Sequence, residues 1–260
     1  MRPVTDRGFD LLDHALGRPL GYPGTPPRTS GLLVDDVFHE VPAAPDGRVL
    51  DHMVREAGVA TLDRRSAVLA IGSNASPAQL RAKFTTHRVS AVVPMTVVTV
   101  AGLGRAHSAH VSAAGYVPMT PIRVAGSRSQ AFVLWVDAAQ LDALDRTEPN
   151  YERRALAGAL EVTLESNERL HDVALYVSRW GHLLAADGSP LQPDRPPSQT
   201  RLIEGLLSRS GELRDLAGPT PADFVSRAAA SRELRDEIRR CFARSGWVSK
   251  GSDRSTDVGR

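Results

Sequence analysis

A polar loop, Gly72-Ser73-Asn74, stands between two segments of opposite character. The apolar run at residues 67–71 before it has the length and composition of a strand. After it, Ser76 is placed to cap a helix that starts with Pro77, with Gln79 completing a capping box. A tight loop between a strand end and a helix start leaves backbone N–H groups free to bind a carboxylate or an oxyanion. An ordinary turn is the alternative interpretation.

The second candidate for chemistry is the acidic segment LDALDRTEPNYERR, residues 141–154. A short helix is predicted to start at the cap Asp137 and to end at Glu148, because Pro149 disfavours the helical conformation in the residue before it. A carboxylate held rigidly at such a junction can act as a general acid or base when its pocket is apolar. Glu148 is therefore the candidate catalytic residue. The alternative is that the segment is a solvated charged surface.

A pair of histidines, His107 and His110, forms an HxxH pattern in a segment rich in Gly, Ala and Ser. Two ligands at this spacing can begin a metal site, but the sequence offers no strongly ligating third residue nearby. The pattern favours histidines at the surface or on a substrate loop, so neither a metal nor a cofactor is predicted. The GxSxG, Walker and GxGxxG patterns are absent from the sequence.

The elements that must position these residues indicate an α+β fold. Strands are expected at residues 89–100, 130–136, 154–165 and 172–178, with the last two forming a hairpin. Residues 101–129 are expected to be loops with short strands, and residues 31–41 one edge strand. Helices are expected at 49–57, at 198–208, and continuously from Thr220 to residue 242.

The composition limits the possible partners of this 260-residue chain. Of its 32 basic residues only Lys83 and Lys250 are lysines, and 30 acidic residues bring the formal net charge to +2. That near balance, without a basic block interleaved with aromatics, predicts no nucleic-acid partner. The single Cys241 excludes an intramolecular disulfide. No apolar run approaches the roughly 20 residues that span a bilayer, and no secretion signal is recognisable, so a cytoplasmic protein without a membrane partner is expected.

The order and separation of the two candidate segments resemble the γ-glutamylcyclotransferase-like family. That family carries an aromatic residue followed by Gly-Ser-Asn or Gly-Ser-Leu after its first strand, and an LDxxEG…Y…R segment further on. Here the first motif reads Ile71-Gly72-Ser73-Asn74, and the second runs from Leu144 through Glu148 and Tyr151 to Arg153. A weaker match is Pro197-Ser198-Gln199 before a helix. The resemblance covers residues 66–210, with Ile71 replacing the aromatic residue and Pro149 replacing the glycine.

The resemblance implies a mixed β-barrel with flanking helices and a cavity at its mouth. It also implies an enzyme that cyclises a small-molecule γ-glutamyl amine or peptide to 5-oxoproline with release of the amine, without a metal or cofactor. Glu148 would be the general acid/base, and the substrate would be bound by Ile71, Gly72, Ser73, Asn74 and Tyr151. Tyr116 belongs to a stretch similar to the family's cavity-lining segment, and this stretch follows the histidine pair in the sequence. An anionic substrate group would be held by one of the two histidines or by Arg105, Arg153 or Arg154.

Four segments follow from these patterns. An N-terminal extension, partly irregular, is expected at 1–65, the barrel at 66–189, C-terminal helices packed on the barrel at 190–247, and a disordered tail at 248–260. The missing aromatic residue at position 71 and the long flanks leave a second hypothesis open. In it, the chain is a non-catalytic barrel that binds an amino-acid-like ligand or a protein partner.

Overall fold

A mixed β-sheet with helices packed on it is the central feature of the computed structural model, which describes residues 5–8, 17–41, 47–156 and 160–249. The strands are β1 (Thr5–Gly8), β2 (Gly31–Val34), β3 (Val37–Glu40), β4 (Ser66–Ala70), β5 (Val93–His107), β6 (Met119–Val136), β7 (Tyr151–Ala155), β8 (Glu161–Leu164), β9 (Arg169–Leu170), β10 (Ala174–Ser178), β11 (His182–Leu183) and β12 (Val248–Ser249). The helices are α1 (Gly47–Glu56), α2 (Pro77–His87), α3 (Ala138–Thr147), α4 (Gln199–Arg209), α5 (Gly211–Ala217), α6 (Pro221–Ala230) and α7 (Arg232–Arg244). The α+β class predicted from the sequence is confirmed.

The large sheet has the strand order β1-β3-β2-β5-β6-β4-β10-β7, and β8 pairs with both β5 and β9. Its neighbours are antiparallel except for β4 and β10, which run parallel. β11 and β12 form a separate two-stranded sheet. The part of the predicted tail beyond Ser249 lies outside the described residues.

The predicted closed barrel does not appear in the strand pairing of the described residues. The pairing path ends at β1 on one side and at β7 on the other, and these two strands are not paired with each other. Closure requires every edge strand to find a partner. The strand that follows β7, β8, pairs instead with residues 98–101 of β5, so within the described part of the chain β7 pairs with β10 alone.

Helices α2 and α3 pack on the same face of the sheet. Side chains alternate between the two faces along a strand, so neighbouring residues of β4 belong to different apolar clusters. Val68 and Ala70 of β4 pack in the same apolar cluster as Leu80 of α2 and Leu144 of α3. The intervening Leu69 belongs to a second cluster on the opposite face. The two helices therefore lie side by side over one surface, which brings the end of α3 close to α2.

Several predicted elements differ from the structure. Residues 101–129 are largely strand, since β5 and β6 form one long antiparallel ribbon. The expected edge strand at 31–41 is the hairpin β2–β3, with a tight turn at Asp35 and Asp36. The predicted hairpin of strands 154–165 and 172–178 is not formed, because β8 pairs with β9 while β10 pairs with β4 and β7. The long C-terminal helix is broken at Ser231, whose side chain accepts the N–H of Leu234 and caps α7.

Sheet topology brings the two candidate segments to one edge. β4 runs parallel to β10, with Leu69 opposite Leu175, and β10 runs antiparallel to β7, with Ser178 opposite Tyr151. Continuing the β4 register three residues places Gly72 level with Tyr151. The loop after β4 and the turn before β7 therefore meet at the same edge.

No helix among the described residues is long and apolar enough to cross a membrane.

Candidate active site

One cavity of about 150 Å³ receives side chains from both candidate segments. It is smaller than the roughly 300–1,000 Å³ of sites for drug-sized ligands, so it suits a small ligand or one end of a larger ligand. All six site residues proposed from the sequence line it: Ile71, Gly72, Ser73, Asn74, Glu148 and Tyr151. Among the described residues of its wall, Glu148 has the only acidic or basic side chain apart from His110.

Glu148 is held at the end of α3 by backbone geometry. The helix begins with a capping box between Asp137 and Gln140, as predicted, and Glu148 is its C-cap residue. The Glu148 carbonyl then accepts the N–H of Tyr151 at 2.9 Å, which closes a turn around Pro149 and leads into β7. The carboxylate therefore projects from a short, fixed junction between a helix and a strand.

The Glu148 carboxylate is paired with a lysine that sequence reasoning did not select. Lys83 Nζ lies 2.5 Å from Glu148 Oε1, with side-chain exposures of 7% and 14%. Asn74 Nδ2 donates to the same Oε1 at 3.1 Å. Removing one partner of a buried ion pair typically costs about 3–5 kcal/mol, because the other charge stays buried and unpaired.

The loop before α2 lies so close to the Tyr22 side chain that glycine is favoured at position 72. Residues Ser73–Ala75 form a single 3₁₀ turn, and Ser76 caps α2 by accepting the N–H of Gln79, as predicted. A Cβ added at Gly72 would lie 2.6 Å from the Tyr22 hydroxyl. Tyr22 therefore packs directly on the loop backbone, and a larger residue at position 72 would push it away.

All four tyrosines of the chain line the cavity: Tyr22, Tyr116, Tyr151 and Tyr176. Tyr22 and Tyr116 stack with ring centroids 4.4 Å apart. The Met119 backbone N–H donates to the Tyr22 hydroxyl at 2.8 Å, and the Tyr151 hydroxyl donates to the Met119 carbonyl at 2.8 Å. The absence of an aromatic residue at position 71 thus does not leave the cavity without aromatic rings.

The tyrosine hydroxyls remain neutral. Burial is the largest cause that raises the pKa of each tyrosine, and the negative charge of Glu148 raises it further. Tyr176 also donates to Asp145 Oδ1 at 2.8 Å, a hydrogen bond that favours its protonated form. The cavity therefore surrounds one carboxylate with neutral phenol groups.

The three arginines considered for an anionic substrate group do not line this cavity. Arg153 forms a two-point pair with Asp145, at 3.0 and 3.1 Å, and Arg154 pairs with Glu152 at 3.0 Å. Arg105 donates to a backbone carbonyl of β6 at 2.6 Å. Within this cavity the expectation is not met: Arg153 and Arg154 are paired with neighbouring acids, and the Arg105 guanidinium lies at β6 instead.

The histidine pair is buried rather than at the surface, so of the two expected placements only the one on a cavity-lining loop remains, and it applies to His110. His107 and His110 are each 3% exposed, and His110 lines the cavity. His110 packs its ring edge-on to Tyr151, with centroids 5.5 Å apart, and Nδ1 lies 2.7 Å from Ser108 Oγ. Within the described residues, no group of three His, Cys, Asp or Glu side chains is arranged to hold a metal ion.

Sequence reasoning missed three polar residues at the cavity. Tyr22 and Tyr176 line it, and Lys83 contacts Glu148 from behind the wall. Lys83 carried a usable signal, because it falls on the apolar face of α2 with Leu80 and Phe84 in a chain that has only one other lysine. Tyr22 carried little signal, since it lies in a Gly- and Pro-rich segment remote in sequence from the loop.

Comparisons with known proteins give weak structural likenesses. No protein-family model matches the chain, and neither does any curated protein. A solved structure named gamma-glutamyl cyclotransferase is similar at 14% identity and a TM-score of 0.36, over 67% of this chain and 98% of that one. The protein At5g39720.1 of Arabidopsis thaliana is similar at 17% identity and a TM-score of 0.35, over 58% and 92% of the two chains. YkqA of Bacillus subtilis is similar at 11% identity and a TM-score of 0.36, over 80% and 63%.

Proposed function

We propose that this chain is a γ-glutamylcyclotransferase-like enzyme that cyclises a γ-glutamyl amine or peptide to 5-oxoproline and releases the amine. The observation that supports it best is the meeting of two distant segments in one small cavity. The loop at 71–74 and Glu148 both line that cavity, and Asn74 Nδ2 lies 3.1 Å from Glu148 Oε1. The proposal takes Glu148 as the general acid/base and residues 71–74 with Tyr151 as the substrate-binding groups.

The reaction needs only proton transfer and stabilisation of one oxyanion. The substrate's own α-amine attacks its γ-carbonyl carbon, forming the ring C–N bond while Glu148 accepts a proton from the attacking nitrogen. The bond to the departing amine then breaks, and Glu148 returns the proton to that nitrogen. Backbone N–H groups of Gly72, Ser73 and Asn74 would bind the oxyanion or the glutamyl group. Folding the γ-glutamyl arm inside a small cavity would bring the reacting atoms together.

The chemistry of the wall suits such a substrate. An α-ammonium or amine group can approach the one acidic side chain of the described wall, and neutral tyrosine hydroxyls can donate to carbonyl or carboxylate oxygens. Cationic groups are attracted by tyrosine ring faces, which adds a second interaction for the amine end.

The test is to incubate the protein with a panel of γ-glutamyl amines and peptides and to measure 5-oxoproline. Glu148→Gln keeps the size of the side chain but cannot accept the proton, so we expect at least a roughly 100-fold lower rate. The matched control is Glu152→Gln, an exposed carboxylate four residues further on, which should keep the wild-type rate. No product from the wild-type protein, or equal product from Glu148→Gln, would exclude the proposed reaction.

A second candidate function is binding of an amino-acid-like ligand without catalysis. The observation that favours it is the ion pair of Glu148 with Lys83, which engages one carboxylate oxygen internally. Calorimetry with the same γ-glutamyl panel separates the two candidates. Binding without formation of 5-oxoproline would support the second candidate, and release of 5-oxoproline would exclude it.

A further inference from the structure

Three polar side chains form a closed ring of hydrogen bonds at the wall of the cavity. Lys83 Nζ donates to Glu148 Oε1 at 2.5 Å and to Asn74 Oδ1 at 2.7 Å. Asn74 Nδ2 donates to the same Glu148 Oε1 at 3.1 Å. The ring joins the loop before α2, the middle of α2 and the end of α3.

The ring determines the orientation of each member. An ammonium group can only donate and a carboxylate can only accept, so the Asn74 carbonyl must face Lys83 and its amide must face Glu148. A hydrophobic residue at position 83 would leave the Asn74 carbonyl without this donor. Lys83 therefore orients Glu148 directly and also through Asn74.

The ring leaves one carboxylate oxygen for a ligand. Glu148 and Asn74 line the cavity, whereas the described cavity wall does not include Lys83, which is 6% exposed. Lys83 thus approaches the carboxylate from the protein side. Both ring contacts to Glu148 end on Oε1, and no hydrogen bond to Oε2 is formed by the described residues.

We propose that Lys83 is a positioning residue that holds Glu148 Oε1 against Asn74 and so presents Oε2 to a ligand in the cavity. Its catalytic consequence rests on the proposed function, since it acts through Glu148. Oε2 would be the atom that accepts the proton from the attacking amine and returns it to the departing amine. Lys83 itself exchanges no proton in this scheme.

The kinetic test replaces Lys83 by arginine and by methionine. Lys83→Arg keeps the positive charge but changes its reach and shape, and Lys83→Met removes both hydrogen bonds. Since a displacement of about 1 Å at the reacting groups can cost roughly 100-fold in rate, we expect at least a roughly tenfold lower kcat per folded molecule in both variants. KM should change less than about threefold, because the loop that binds the substrate is retained.

The matched control is Arg81→Lys, the reverse exchange on the same helix, where the side chain pairs with the half-exposed Asp36 at the surface. This variant should keep the wild-type kcat and KM. Circular dichroism gives the folded fraction of each variant, and Lys83→Arg decides the outcome if Lys83→Met does not fold. Wild-type kcat in Lys83→Arg, or in folded Lys83→Met, would overturn the proposal.

Crystal structures of wild type and Lys83→Arg test positioning without any assay of activity. We expect Glu148 Oε1 to lie about 1 Å or more further from Asn74 Nδ2 in the variant. An unchanged carboxylate would overturn the positioning role. If the wild type forms no 5-oxoproline, the proposed function fails, while this comparison still decides the role of Lys83.

Discussion

His110 is a buried neutral side chain in the wall of the cavity. Burial lowers its pKa to about 3, and the positive charge of Arg239 adds to the shift. Burial also lowers the pKa of the neighbouring His107 to about 4. At neutral pH neither ring is a cation, so His110 can offer a ligand hydrogen bonds and an aromatic edge but no positive charge.

The low pKa of His110 predicts a pH-dependent stability. Below about pH 6.5 the unfolded chain takes up a proton at this histidine, whereas the folded chain does so only near pH 3. The unfolded state binds more protons in this window, so stability falls as pH falls, by up to about 1.4 kcal/mol per pH unit. Urea unfolding of wild type and His110→Gln between pH 7 and 4.5 should show a smaller loss in the variant. The control His171→Gln changes an exposed histidine and should lose as much stability as the wild type over this pH range. An equal loss in His110→Gln and wild type would contradict the low pKa of His110.

The site residues that the sequence predicts are those that lie next to recognisable local patterns in the chain. Gly72 to Asn74 and Glu148 stand next to recognisable caps and a proline, so local patterns identify them. Tyr22 and Tyr176 reach the cavity through pairing and packing between segments far apart in sequence, which a single-chain pattern does not encode. Lys83 is intermediate, because its place on an apolar helix face is readable while its partner is not.

At the scale of elements, α3 is the part that carries Glu148 to the cavity. Its N-terminus is tied to the sheet by the buried Gln140, whose carbonyl accepts from Arg65 at 3.1 Å and from the Asp137 N–H at 3.0 Å. Its amide donates to the carbonyls of Ser90 and Val92 at 2.8 and 3.0 Å. This one side chain satisfies four polar groups where the strand β6 turns into the helix.

Gln140→Ala is expected to lower the free energy of unfolding by about 3 kcal/mol. The substitution leaves the Asp137 N–H and the Ser90 carbonyl without their partner, whereas Arg65 and the Val92 carbonyl still bond to each other. Each unsatisfied group costs about 1–3 kcal/mol. Chemical denaturation monitored by circular dichroism measures the loss. Asp142→Ala on the same helix removes only an exposed pair with Arg146 and should change stability by less than about 0.5 kcal/mol. Equal losses in the two variants would contradict the anchoring role of Gln140.

The elements predicted well are those with local start and stop signals. The predicted caps Ser76 and Asp137 each start a helix, and the helices predicted to begin at Ser198 and Thr220 do so, with these two residues as their N-caps. The β5–β6 ribbon was missed because residues 123–130 of β6 are mostly exposed or half-buried, so they show no apolar strand pattern. The break at Ser231 was missed because the apolar stripe continues across it, with Phe224 and Ile238 in one cluster.

At the scale of the molecule, the C-terminal helices support the cavity wall. Phe224, Ile238 and Phe242 share one apolar cluster with Val111 and Val117 of the β5–β6 connection. Gln199 donates to the carbonyl of Val117 at 2.8 Å and accepts its N–H at 3.0 Å. The same connection carries His110 and Tyr116 into the cavity. The segment boundary at 189/190 stays a prediction.

The connection and α6 make a close backbone contact at Gly115. A Cβ at this position would lie 2.3 Å from the Val225 carbonyl oxygen and 3.0 Å from the Val225 Cα, both backbone atoms that cannot rotate away. Gly115 also has a φ of +91°, a conformation that disfavours alanine. A side chain here must therefore move α6 or the cavity wall.

We expect Gly115→Ala to lower the free energy of unfolding by at least about 2 kcal/mol more than Gly126→Ala. Gly126 has a comparable φ of +73° but open space around its Cβ, so it carries the backbone cost of roughly 1–2 kcal/mol without the collision. Urea unfolding of both variants measures the difference. The connection that contacts α6 also carries Tyr116 into the cavity. The extra loss of unfolding free energy in Gly115→Ala therefore measures how strongly α6 resists displacement by this part of the cavity wall. An equal loss in both variants would contradict a rigid contact between Gly115 and α6.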